Sequence, residues 1–167
     1  MDFLIVSDTH GRYERLAELL RRTHADTVLF LGDGLRDLAV VPDDFTLRAV
    51  RGNCDFFAPE DTPDERLEVF GATRILMMHG HRYHVKGGLG AALAAAADRD
   101  ADVLLYGHTH RAEITYLAAG DVAGGRVLKK PLIVFNPGSL GQPPDGKPTF
   151  GTLTVRQIGI LPSIGEF

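Results

Sequence analysis

The sequence predicts an α/β fold in which two β-sheets pack face to face with helices outside. Three observations carry that expectation. Short apolar runs alternate with helical stretches from residue 3 to residue 106. From residue 114 onward the strands follow one another with little helix between them. The opening run, Phe3 to Val6, is continuously apolar instead of alternating, the mark of a strand covered on both faces.

Taken in order, Phe3 to Val6 is the first strand. Arg12 to Arg22 carries Leu16, Leu19 and Leu20 at helical spacing with charges between, so an amphipathic helix follows. Thr27 to Leu31 is a second buried strand. Leu35 to Val41 reads as a short helix stopped at Pro42. Leu47 to Val50 is a third strand. Residues 56–65 hold two prolines and four acids and read as a surface loop. Arg66 to Phe70 and Thr73 to Met78 are two strands joined tightly at Gly71-Ala72, and Gly88 to Arg99 is an alanine-rich helix. Val103 to Tyr106 is the next strand. Ile114 to Ala118, Arg126 to Lys129, Leu132 to Phe135, Thr149 to Val155 and Gln157 to Leu161 complete the set. Gly120-Asp121 and Gly124-Gly125 mark a hairpin turn. No linker, repeat or low-complexity segment interrupts residues 1–167, so one domain is expected.

Composition narrows the function. At 44% hydrophobic and 24% charged, the chain matches an ordinary globular protein, and its 167 residues are enough for a sizeable core. A net charge of −4 argues against an extended nucleic-acid surface. It leaves room for a small phosphorylated substrate, because a local metal charge can outweigh the global balance. Cys54 is the only cysteine, so no intrachain disulfide forms and a reducing compartment fits. No basic, apolar leader precedes the first strand, and the longest apolar stretch, Ala91 to Ala97, is far short of a membrane span. A cytoplasmic protein with no membrane partner is expected, with a homo-oligomer left open.

The chemistry is concentrated at strand ends. Asp8-Thr9-His10, Gly32-Asp33, Gly52-Asn53, His79-Gly80-His81 and Gly107-His108-Thr109-His110 each place metal-competent side chains just after an apolar strand. That is where open α/β sheets hold their ligands. Six of the seven histidines, all but His24, lie in or just after these turns, so packing or solvation alone does not explain them. The donors are imidazole, carboxylate and amide oxygen with no thiolate required, which favours manganese, nickel, iron, cobalt or zinc. Seven candidates, Asp8, His10, Asp33, Asn53, His79, His108 and His110, are too many for one four-coordinate ion. They suit two ions about 3.5–4 Å apart, bridged by a carboxylate.

In this order, the five motifs resemble those of the calcineurin-like metallophosphoesterases. Gly52-Asn53-Cys54-Asp55 and Asn136-Pro137-Gly138-Ser139 are similar to the compact prokaryotic phosphodiesterases of that superfamily. The fold also resembles the retromer's small subunit, which serves in assembly. The resemblance covers residues 3 to about 141. It implies a four-layer α/β/β/α sandwich of two mixed sheets. It implies that Asp8, His10 and His110 hold one divalent metal and Asn53, His79 and His108 the other, with Asp33 bridging. Manganese is the first choice. Asn53, His79 and Asp33 are then the catalytic positions, and a hydroxide shared by the metals is the nucleophile. The expected activity is phosphodiester hydrolysis. A phosphomonoesterase and a scaffold with little or no activity are the alternatives.

Two departures stand out. Cys54 follows the Asn ligand where many larger members carry a proton-donating His, which leaves His81 or Asp55 as other acids. Lys147 is the nearest basic residue after the Asn136-Pro137-Gly138-Ser139 segment. His24 reads as solvated, and Gly87-Gly88-Leu89-Gly90 as the start of a helix instead of a phosphate loop. The alanine run reads as a close-packing helix face.

Overall fold

A computed structural model covers residues 1–167. Two five-stranded mixed sheets form the centre. The first contains β1 (Asp2–Val6), β2 (Thr27–Phe30), β3 (Thr46–Ala49), β11 (Thr149–Arg156) and β12 (Gly159–Glu166), in the order β12-β11-β1-β2-β3. The second contains β4 (Glu65–Phe70), β5 (Thr73–Met78), β6 (Val103–Leu105), β7 (Ala112–Leu117) and β10 (Leu132–Pro137), in the order β4-β5-β6-β10-β7. A two-stranded ribbon, β8 (Val122–Ala123) and β9 (Arg126–Val127), stands apart. Helix α1 spans Tyr13–Arg22 and α2 spans Gly90–Asp98.

The period of two along each strand builds the layers. Phe3 and Ile5 of β1 point into a core between the sheets with Leu29, Met77, Leu105 and Phe135. Leu4 and Val6 point the other way, onto Leu16, Leu19 and Leu20 of α1. Leu76, Leu104 and Val134 of the second sheet do the same toward Ala92, Ala95 and Ala96 of α2. Both faces of β1 are therefore covered, which accounts for its unbroken apolar run. Each leucine of the α1 stripe stabilises by roughly 1.5–3 kcal/mol through burial. The alanines of α2 let that helix lie close to its sheet, as the run suggested.

The parallel pairs are what position the site. β1, β2 and β3 run parallel in one sheet, and β5, β6 and β10 in the other. Their carboxyl ends come out along one edge of the sandwich.

The short helix expected at Leu35 to Val41 is a 3-10 helix over Leu35–Val40, entered from Gly34 at φ 148°. Two local expectations are corrected. The final strand is Gly159–Glu166, not Gln157 to Leu161. Gln157 and Ile158 are the hairpin turn, and the strand runs on through Pro162 because it pairs only with β11. On such an edge a proline is tolerated. The ribbon strand Val122–Ala123 was not expected, and Arg126 to Lys129 shortens to Arg126–Val127. No helix is long and apolar enough to cross a membrane.

Candidate metal centre

Seven side chains from five strand ends converge. Asp8 and His10 follow β1, Asp33 follows β2, Asn53 follows β3, His79 follows β5, and His108 and His110 follow β6. In sequence, His10 and His110 are 100 residues apart; in space their Nε2 atoms are 3.3 Å apart. His79 Nε2 lies 3.1 Å from Asn53 Oδ1, 3.1 Å from His108 Nδ1 and 3.4 Å from Asp33 Oδ2. His110 Nε2 lies 3.0 Å from Asp8 Oδ1. Asp33 Oδ2 is also 3.8 Å from His10 Nε2, so it sits between the two groups. Every ligand candidate read from the sequence is in the cluster.

The backbone is bent to make this meeting possible. Asp8 (φ 55°), His10 (φ 45°), Asp33 (φ 59°), His108 (φ 68°) and His110 (φ 61°) are left-handed, five of the seven non-glycine residues that are. Each such residue costs about 1–2 kcal/mol, so their clustering marks a site held in place by its surroundings. Two glycines give the carboxylates room. A Cβ at Gly52 would stand 2.1 Å from Asp33 Oδ1, and one at Gly107 would stand 2.9 Å from Asp8 Oδ2 and 2.1 Å from Ser7 Oγ.

Buried polar groups fix each donor. Ser7 Oγ (2.5 Å) and the His108 N–H (3.1 Å) donate to Asp8 Oδ2, and the Cys54 N–H donates to Asp33 Oδ1 at 2.7 Å. His79 Nδ1 donates to the Leu31 carbonyl at 2.8 Å, and His110 Nδ1 donates to the Gln142 carbonyl at 2.8 Å. A carbonyl only accepts, so Nδ1 of each ring carries a hydrogen, and in the neutral ring the Nε2 lone pair faces the cluster.

The sequence reading missed the supports. Asp55 accepts from the N–H groups of Asp33, Gly34, Leu35 and Gly52, at 2.8–2.9 Å. With both oxygens so engaged, Asp55 is a clamp on two loops and is not free to act as an acid. Asp37 accepts from Thr9 Oγ1 (2.5 Å) and the Gly11 N–H (2.9 Å). Asn136 donates to the Gly107 carbonyl at 3.1 Å, and Ser139 donates to the Asp8 carbonyl at 2.8 Å. The sequence named the Asn136-Pro137-Gly138-Ser139 segment by resemblance and Asp55 as a possible acid, but neither as a support.

Charge is unevenly shared. Burial works against ionisation of Asp8 and Asp33, but in the metal-free protein the imidazoles facing them, His10 and His110 at Asp8 and His79 at Asp33, outweigh it when they carry a proton on Nε2 and hold both carboxyls below the ordinary range. Burial also pulls the His79 imidazole down, yet the Asp33 and Asp8 carboxylates raise it overall. Burial and the neighbouring His79 push His108 down to about 4. Burial and the Asp33 charge push the exposed Cys54 thiol up to about 11. His81 is partly buried beside His79, with its Nδ1 unpartnered. Lys147 lines a separate cleft with His110 and Arg111. His24 is exposed, as read.

These residues fit a divalent cation. Asp8 Oδ1 is buried with no hydrogen-bond donor, and the lone pairs of His79 and His110 face other acceptors. Acceptors turned on one another at about 3 Å are stable when a cation lies among them.

The fold and donor set thus define a metal-binding α/β sandwich. A model of the calcineurin-like phosphoesterase superfamily domain matches residues 1–157, and the chain belongs to that superfamily. It is 35% identical over 144 residues to a probable metallophosphoesterase of Bacillus subtilis, YsnB, covering 86% of this chain and 77% of that one. It is 28% identical over 188 residues to the phosphodiesterase YfcE of Escherichia coli, covering 96% and 91%. Among solved structures, a predicted phosphoesterase from Streptococcus pneumoniae superposes with a TM-score of 0.76 at 23% identity, covering 98% of this chain and 87% of that one. Vps29 of Chaetomium thermophilum superposes with a TM-score of 0.72 at 20% identity, covering 100% and 95%. At these identities the two structures bear on the fold alone.

Proposed function

We propose that this protein is a dimetal-dependent phosphoesterase, and within that class a phosphodiesterase acting on a small substrate. The position of Asp33 carries the reading: one carboxylate oxygen lies within 4 Å of His10 Nε2 and of His79 Nε2, between two separate sets of donors. In this reading Asp8, His10 and His110 hold one cation, Asn53, His79 and His108 hold the other, and Asp33 serves both. Cations held there, manganese first and nickel, iron, cobalt or zinc as substitutes, would supply the lowered water pKa and the phosphoryl charge compensation that hydrolysis at neutral pH needs.

The chain's own groups do the rest. The Leu31 carbonyl holds the His79 Nδ1 hydrogen and so aims Nε2 inward. The Asn53 amide oxygen supplies a neutral donor at the exposed rim. Cys54, a protonated thiol at neutral pH, is a weak donor to a departing alkoxide. The diester preference is supported by the phosphodiesterase among the relatives, matched over nearly its whole length.

The test is metal analysis coupled to a panel of phosphate mono- and diesters. Chelation should abolish hydrolysis and manganese restore it, with about two ions per chain after reconstitution. A stoichiometry of one or less overturns the dimetal reading. Faster turnover of monoesters overturns the diester preference. A loaded protein that cleaves nothing points to the assembly role.

A further inference from the structure

Beside the metal centre lies a wall that the proposed chemistry does not use. We propose that Phe56, Phe57 and Arg36 bind a planar aromatic ring carried on one ester arm of the substrate, so that nucleotide-type phosphodiesters are preferred. This rests on the phosphodiesterase reading and adds the substrate class to it.

Phe56 and Phe57 are 82% and 78% exposed, more than any other aromatic side chain of the protein. Both line one cleft of about 620 Å³ whose other residues include His10, Asp33 and Cys54. That volume falls in the range of small-molecule sites. The Arg36 guanidinium carbon stands 4.5 Å from the centre of the Phe57 ring, a cation resting on an aromatic face. Arg36 has no acidic partner and donates no hydrogen bond within the protein, so its N–H fork is available to acceptors on the edge of a ring.

The wall is tied to the centre through Asp55. Its carboxylate takes the N–H groups of Asp33 and Gly34 and also of Leu35, the residue before Arg36. Phe56 and Phe57 directly follow Asp55 in the chain. One clamp thus sets the bridging carboxylate, the arginine and the two rings relative to one another. Two exposed rings, one of them paired with a guanidinium, offer π-faces that suit stacking on a planar ring better than an aliphatic chain does. The face opens onto the same cleft as Asp33, so a group joined to a phosphate there reaches it. A protein partner seated on it would cover the centre.

The experiment is calorimetric binding of thymidine 5′-monophosphate and of inorganic phosphate to the manganese-loaded protein. Nucleotide should bind more tightly than phosphate. Replacing both rings, Phe56→Ala with Phe57→Ala, should weaken nucleotide binding about tenfold and leave phosphate binding unchanged, as loss of base stacking predicts. Phe57→Trp should retain nucleotide affinity, which a collapsed loop would not. Unchanged nucleotide binding in the double variant, or an equal loss for both ligands, overturns the inference and leaves the phosphoesterase reading intact. So does a dimer of the unmodified protein that the double variant abolishes without loss of nucleotide affinity. Failure of the unmodified, loaded protein to bind phosphate overturns both.

Discussion

The two donor groups of the centre are built differently. The first, Asp8, His10 and His110, owns a carboxylate that is wholly buried and held by Ser7 and by the His108 N–H. The second, Asn53, His79 and His108, has no carboxylate of its own, since on the proposed reading Asp33 serves both groups. Its Asn53 is exposed, and its side chain hydrogen-bonds only to His79 and Cys54. A buried anion and rigid supports favour a cation more than an amide at the rim does. On the proposed dimetal reading, the comparison gives the centre a firm half and a loose half, coupled by a single carboxylate.

Asp33→Asn should have the largest effect, because it removes charge from both halves. Nearly all turnover and at least one metal should be lost, as read by elemental analysis and steady-state rates. Retention of both metals at a near-normal rate would break the bridging assignment.

The halves themselves separate in a titration. Manganese added to the metal-free protein should bind in two steps of unequal affinity. Asn53→Ala should abolish the weaker step and keep the tighter one, whereas Asp8→Asn should weaken the tighter one by about tenfold or more, the scale of a lost charged contact. Two equal steps in the unmodified protein would erase the distinction.

Acidity sharpens it further. Without metal, the raised His79 and His110 are protonated more readily in the folded protein than in the unfolded chain. Their stabilisation is fully present below the unfolded value, about 6.5, and is lost as pH rises through the folded values. Bound metal requires the unprotonated rings, so its stabilisation grows over the same range. The Tm difference between manganese-loaded and metal-free protein should therefore widen from pH 6 to pH 8, by several degrees at about 2–4 °C per kcal/mol. A gap that narrows would contradict the arrangement of protons at these rings.

The smallest effect is expected at the loose rim. Cys54→Ala should change cleavage of activated aryl diesters only modestly, since their leaving groups need no proton. Rates should fall steeply as leaving-group pKa rises, and Cys54→His should flatten that fall if metals stay bound. The measurement is kcat/KM across a graded diester series. A shallow dependence in the unmodified protein would assign the proton to another group, with His81 the nearest imidazole outside the donor set.

Much of this was legible in the chain itself. The apolar runs identified β1, β2, β5 and β6, because a strand covered on both faces must be apolar throughout. The leucine stripe of α1 identified its buried face. The candidate ligands were legible because each stands just past a strand, where the backbone has to turn and side chains are freed from packing. The resemblance to a known superfamily then grouped them.

Other features depend on neighbours distant in sequence. Nothing near Asp55 signals that its carboxylate will gather four N–H groups from two loops. The last strand reaches Glu166 because β11 offers it a partner along its whole length, and Pro162 survives because no strand lies on its other side. Phe56 and Phe57 read as loop residues; only the fold sets them in the same cleft as Asp33. Periodicity and turn chemistry act over a few residues and are written locally. Convergence of groups a hundred residues apart is set by which sheets pack and which buried polar atoms find partners, and that is decided only when the chain has closed on itself.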